Sequence, residues 1–263
     1  MLSLASLYLL FLLIIFLFQR KLIYFPETYS QDRQTEIISS FNLKPWPVPE
    51  NYRGFISQNT PTQSKGTVLI FHGNAGSARS RLYYIAALER LGYRVVLAEY
   101  PGYGARTGSP SESIFIEDGV QIALLTQQKF NGPLFLWGES IGAGVVSGIV
   151  KTGKVKVKGI ILMTPFDSLT NVAQKHYWFF LAKWLIRDKF DNMANLKNYT
   201  GHTAVILAEQ DTIIPKQNTL NLFNSIDGNK KLWKFPNAGH NSVPIHPDLI
   251  WWGEVMKFID PKK

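Results

Sequence analysis

The apolar positions of this chain follow three different patterns in turn. Residues 2–18 carry no charged side chain, and only Ser3 and Ser6 interrupt the apolar run. As a helix rising 1.5 Å per residue the run is about 25 Å long, at the short end of what crosses a hydrocarbon core of ~30 Å. Leu22-Ile23-Tyr24-Phe25 can lengthen it or sit at the interface. Between Pro26 and Pro49 the chain turns polar, with Pro45, Pro47 and Pro49 alternating, which predicts a connector rather than a regular element. From Tyr52 onward short β-branched runs alternate with longer helical ones. The runs 67–71, 94–98, 134–137, 159–163, 204–208 and 232–235 are mostly continuous in apolar residues, as strands buried on both faces must be. Helical spacing marks 81–91, through Leu82, Ile85, Ala86, Leu88 and Leu91, and 111–128, through Phe115, Val120, Ala123 and Leu124. Ser109, Pro110 and Glu112 fit the N-cap, N1 and N3 positions of a capping box ahead of the second helix. The alternation predicts an α/β domain over 52–263, its mostly parallel sheet covered by helices on both faces. The expected organisation is an anchor over 1–25, a connector over 26–51 and that domain. In such a sheet ligands sit at the carboxyl ends of the strands.

A cleaved signal peptide would carry Lys or Arg ahead of its apolar run and a small-x-small site after it, and neither is present, so an uncleaved anchor is expected. Arg20 and Lys21 follow the run, which by the positive-inside tendency puts the domain in the cytoplasm. With 263 residues, 46% of them hydrophobic and 18% charged, the chain can bury a sizeable core. The absence of cysteine excludes disulfide scaffolds, thiolate zinc sites, iron–sulfur clusters and cysteine nucleophiles. A formal net charge of +9 favours an anionic neighbour such as a lipid surface. The basic run Lys151, Lys154, Lys156 and Lys158 reads as a solvated loop, and with no nucleic-acid-binding signature beside it, no nucleic acid partner is expected.

Candidate chemistry lies where the strands end. After 134–137 comes Gly138-Glu139-Ser140-Ile141-Gly142, and an apolar helix follows. A serine at a sharp strand-to-helix turn is held in a strained conformation that crowds the residues two before and two after it, and glycine at both places relieves the crowding. The helix start supplies a backbone N–H at Ile141 for a developing oxyanion. A hydroxyl nucleophile needs a base, and the base an acid to orient it. Of five histidines, His240 follows the last strand, whereas His176, His202 and His246 suit surface or core roles. Asp211 follows the strand 204–208 and is the expected acid; Asp167, after the strand 159–163, is its rival or a helix cap. The second oxyanion donor is expected in His72-Gly73-Asn74-Ala75-Gly76, at the backbone N–H of Asn74 with Ala75 next, while His72 holds the loop. Dinucleotide binding through Gly73, Gly76 and Glu99 lacks its first glycine, because position 71 is Phe71, and no P-loop occurs. With no His-Glu-x-x-His, no metal site is expected, and no cofactor is implied.

With these motifs in kind, order and spacing, the chain from about residue 52 onward resembles the α/β-hydrolase-fold serine hydrolases. In particular it is similar to small membrane-anchored α/β-hydrolase domain proteins of the bud-emergence type. The residues carrying that match are Leu22 to Pro26, His72 to Gly76, Tyr100-Pro101-Gly102-Tyr103-Gly104, Gly108-Ser109-Pro110, Gly138 to Gly142, Asp211 to Pro215 and Gly239-His240. Glu209-Gln210 departs from it, since glycine is more usual near the acid. Members are variously esterases, thioesterases or peptidases, so the resemblance implies a serine hydrolase without deciding its substrate. Residues 166–200 form a cap-sized insertion. Its aromatic and aliphatic stretch, with Tyr177, Trp178, Phe179, Phe180 and Trp184, reads either as helix packing or as an apolar lid, with Lys183, Arg187 and Lys189 meeting anionic head groups. Anchor and lid together suggest a lipophilic acyl ester or thioester substrate at a membrane, with a serine peptidase and a non-catalytic binding protein as alternatives.

Overall fold

The computed structural model of the chain describes residues 3–261 apart from 62, 178 and 180. Leu2, Trp178 and Phe180, which figure in the anchor and lid expectations, therefore lie outside the described residues. The elements begin with α1 (Leu4–Ile23), β1 (Phe25–Pro26), α2 (Gln31–Ser40), β2 (Leu43–Trp46), β3 (Gly54–Ser57), β4 (Thr67–Phe71) and β5 (Ala75–Gly76). They continue with α3 (Tyr83–Glu89), β6 (Arg94–Ala98), α4 (Glu112–Lys129), β7 (Leu134–Glu139), α5 (Ile141–Lys151) and β8 (Gly159–Met163). Then come α6 (Leu169–His176), α7 (Ala182–Leu185), α8 (Asn192–Leu196), β9 (His202–Ala208), α9 (Lys216–Ser225), β10 (Lys230–Phe235) and α10 (Ile250–Ile259).

Among the described residues the main sheet has eight strands in the order β10-β9-β8-β7-β4-β6-β3-β2. Its pairs are parallel except at β3, which runs antiparallel to β6 and to β2. Every residue of β4, β7 and β8 is buried, which is why their sequences are apolar without alternation. One face carries α4, α5, α8 and α9, whose Phe115, Ile149, Leu196 and Leu222 share a core. The other carries α2, α3 and α10 through Ile37, Tyr84 and Trp252. Phe71 pairs with Gly138, so the loop after β4 and the turn after β7 leave the sheet side by side.

Two expectations change. The stretch 26–51, read as an irregular connector, holds the ten-residue helix α2 and the edge strand β2. Pro45 does not prevent this, because an edge strand tolerates a residue that cannot donate to the ladder. The cap of α4 is Ser111, whose side chain accepts the Ile114 N–H, and not Ser109. Ser109 belongs to a tight crossing in which Pro110 and the Gly108 carbonyl pack against Gly102, where any Cβ would be crowded.

Three short helices, α6 to α8, bridge β8 and β9. Beside them runs α1, long and apolar enough to cross a membrane, with most of its length exposed.

Candidate active site

Ser140 links β7 to α5 with φ 51° and ψ −115°, a backbone region that L-residues avoid and that surrounding structure must impose. Its N–H donates to the Met163 carbonyl across to β8 (2.8 Å), and its own carbonyl accepts the Ala143 N–H (2.9 Å). The flanking glycines are obligatory for steric reasons. A Cβ on Gly138 would run into the Gly142 carbonyl, and one on Gly142 into the Phe71 carbonyl of β4. Ile141 opens α5, so its N–H is among those that a helix start leaves without an internal acceptor.

Between the two glycines, Glu139 is turned into the protein. It accepts hydrogen bonds from Arg81 Nε (2.5 Å), Tyr84 Oη (2.7 Å) and Tyr83 Oη. Burial pushes its carboxyl up, but the Arg81 guanidinium and the tyrosine hydroxyls outweigh this and hold it below the ordinary value.

The loops after β9 and β10 bring Asp211 and His240 to the serine. His240 Nε2 lies 3.0 Å from Ser140 Oγ, and its Nδ1 lies 2.6 Å from Asp211 Oδ2. The other Asp211 oxygen accepts the N–H groups of Ile213 (2.9 Å) and Ile214 (2.7 Å), which fixes the carboxylate plane. The Asp211 and His240 side chains are only 3% and 9% exposed. Gln210 N–H donates to the Ala238 carbonyl (2.9 Å) and ties the two loops together, and neither Glu209 nor Gln210 has the positive φ that would call for glycine.

Asp167, the rival acid, is saturated elsewhere. It accepts from Ser168 N (2.7 Å) and from the side-chain amides of Asn171 (3.0 Å), Asn218 (2.9 Å) and Asn221 (3.3 Å), and so pins α6 to α9. His72 is buried, with Nε2 3.1 Å from Glu99 Oε1 and Nδ1 2.7 Å from the Gly73 carbonyl oxygen, as expected of a residue that holds its loop. His176 lies against the Ile213 carbonyl, His202 against the Phe258 ring and His246 near Asp248.

The loop with Asn74 is braced from an unexpected direction. β1 pairs with β5, Phe25 N–H donates to the Asn74 carbonyl (3.2 Å), and Asn74 Nδ2 donates to the Ile23 carbonyl (2.7 Å). In a trans peptide C=O and N–H point opposite ways, so a Gly73 carbonyl held by His72 turns the Asn74 N–H away from that ring. Asn74, Ser140 and Ile141 all line one cavity of about 710 Å³. Aliphatic and aromatic side chains of α1, α6, α7 and residues 213–214 make up most of the remaining wall, and none of the described lining residues is a carboxylate.

Sequence reasoning missed the clamp between α1 and the cap. Arg20 binds Asp188 through Nε (2.8 Å) and Nη2 (2.9 Å), Tyr24 Oη donates to the same carboxylate (3.1 Å), and Gln19 bonds the backbone beside it. The available signal was Gln19 itself, an amide set directly after an uninterrupted apolar run.

The doubly covered sheet and the serine at its strand-to-helix turn define an α/β-hydrolase-fold serine hydrolase. Within that class the chain belongs to the family described as serine aminopeptidase, S33, whose model matches residues 62–197. It is 26% identical over 250 residues to the uncharacterized protein Rv2307c of Mycobacterium tuberculosis, covering 92% of this chain and 87% of that one. It is 27% identical over 245 residues to the lysophosphatidylserine lipase ABHD12 of Gallus gallus, covering 84% of this chain but only 63% of the lipase. Among solved structures, the esterase Pf2001 of Pyrococcus furiosus shares the fold with a TM-score of 0.64 and 18% identity, over 89% of this chain and 98% of that one.

Proposed function

We propose that the protein hydrolyses long-chain acyl esters or thioesters at a membrane through Ser140, His240 and Asp211. The observation that carries this reading is the apolar cavity, free of carboxylates among its described lining, that meets Ser140. An aminopeptidase must bind a substrate ammonium, and in this cavity that charge would have no counter-ion, a heavy desolvation cost. An acyl chain meets no such penalty. Similarity to a lysophosphatidylserine lipase supports the lipid-ester reading.

Ser140 Oγ attacks the acyl carbonyl carbon as its proton passes to His240 Nε2, with Asp211 holding the imidazolium through Nδ1–H. The N–H groups of Ile141 and Asn74 receive the oxyanion. Collapse expels the alcohol or thiol, which takes the proton from Nε2. Water, deprotonated by His240, then attacks the acyl carbonyl carbon, and as the bond to Ser140 Oγ breaks that proton returns from Nε2 to Oγ and the carboxylic acid leaves. With α1 embedded in the bilayer and Arg20 and Lys21 on its cytoplasmic side, the domain faces the cytoplasm. Because β2 completes the sheet, the hydrolase domain is taken to begin at residue 26 rather than 52.

The test is turnover of p-nitrophenyl esters from acetyl to palmitoyl by the full-length chain in detergent, beside aminoacyl p-nitroanilides. Ester turnover that favours long chains is expected, falling by about 10⁶-fold in Ser140→Ala. Anilides cleaved in preference to every ester would reverse the assignment in favour of a peptidase.

A further inference from the structure

α1 has two properties that a tether does not need. The first is a polar clamp to the cap. Gln19 is 7% exposed, and its amide spans the end of α7: Nε2 donates to the Leu185 carbonyl (3.2 Å) and Oε1 accepts the Arg187 N–H (2.8 Å). That carbonyl lies in the last turn of its helix and has no donor within it. The adjacent bidentate pair of Arg20 with Asp188, and the bond from Tyr8 Oη to the Phe179 carbonyl (2.7 Å), fix the helix against the cap at both ends. The second property is position. Ile15, Gln19 and Leu22, spaced i, i+4 and i+7, lie along one face of α1 and line the same cavity as Ser140.

We infer that this face of α1 is a wall of the acyl-binding site, so that the chain of a membrane lipid ester lies between the anchor and the cap. The inference rests on the esterase reading of Ser140. From Ile15 to Leu22 the helix rises about 10 Å, a hydrocarbon track beside the cavity. Its carboxyl end is joined through Ile23 and Phe25 to Asn74, so the track leads toward the reacting atoms. Carrying an acyl chain from the bilayer through water costs about 0.8 kcal/mol per methylene. A chain sliding along a helix already embedded in the bilayer avoids that exposure. Leu22, Phe25 and Ile213, which line the cavity yet are 56%, 55% and 50% exposed, form its opening.

The test uses the full-length chain in detergent micelles and reads kcat/KM for the palmitoyl ester relative to the acetyl ester. Ile15→Trp and Leu22→Trp fill the track, and each is expected to lower that ratio at least about tenfold, or 1.4 kcal/mol of discrimination. Ile15→Ala, which adds room, is expected to move the chain-length optimum to longer esters, and it decides the matter should a tryptophan variant fail to fold. Leu17→Trp, on the exposed face, keeps the wild-type ratio. Unchanged ratios and optimum in all three track variants, with Ser140 still labelled by a fluorophosphonate, would make α1 a tether only and leave the esterase reading intact. A wild-type chain that neither turns over esters nor takes the label would overturn both.

Discussion

Exchanging Asp211 for Asn keeps the loop contacts to Ile213 and Ile214 within reach but removes the charge that orients His240. A kcat loss of about 10⁴-fold is expected, with little change in thermal unfolding. Asp167→Asn has the opposite signature. It puts an amide donor among four donors, at a cost of about 2 kcal/mol or roughly 5 °C in Tm, with kcat within a few-fold of wild type. Kinetics and melting curves on the two variants settle the acid. The sharp turn at Ser140 is legible in the sequence because its constraint is local: the crowding acts two residues either way and leaves glycine at 138 and 142. The two aspartates look alike in sequence, since both follow buried strands. What separates them is the distant partners, Asn218 and Asn221 for one and His240 for the other.

Elements buried on two faces announced themselves. The runs read at 67–71, 94–98 and 159–163 coincide with β4, β6 and β8. β2 and β3, each four residues long and the former interrupted by Pro45, offered too little pattern to separate from a linker. The glutamate of Gly-x-Ser-x-Gly joins β7 to α3 and to Arg81 just before it, and this is testable through acid stability. The Glu139 carboxyl is held below its ordinary value near 4.5, so its contribution is complete above about pH 4.5 and is lost as the pH falls through the depressed folded value. Glu139→Gln strands the Arg81 charge and is expected to cost about 3 kcal/mol at neutral pH. The variant should also show a flatter fall of Tm with acidification below pH 4.5 than the wild type. An identical pH slope in both would remove Glu139 from the acid transition.

For the whole molecule, anchor and catalytic unit are not separable parts. A fragment starting at residue 26 loses the Arg20 and Tyr24 donors to Asp188 and the bonds of Ile23 and Phe25 to Asn74. The expected cost is about 3 kcal/mol, near 10 °C in Tm, together with at least a tenfold fall in palmitoyl relative to acetyl ester turnover. Calorimetry and the ester series on the fragment check both. The uncharged run 2–18 marks this helix as apolar, but an all-apolar helix does not reveal which of its faces meets protein.

The two-residue pairing of Phe25–Pro26 with Ala75–Gly76 stitches that helix to the loop beside the serine. On the reading of α1 as a wall of the acyl site, address and selectivity are inherited together. A recombinant chain given a foreign signal-anchor to send it to another organelle would arrive with a different choice of substrate.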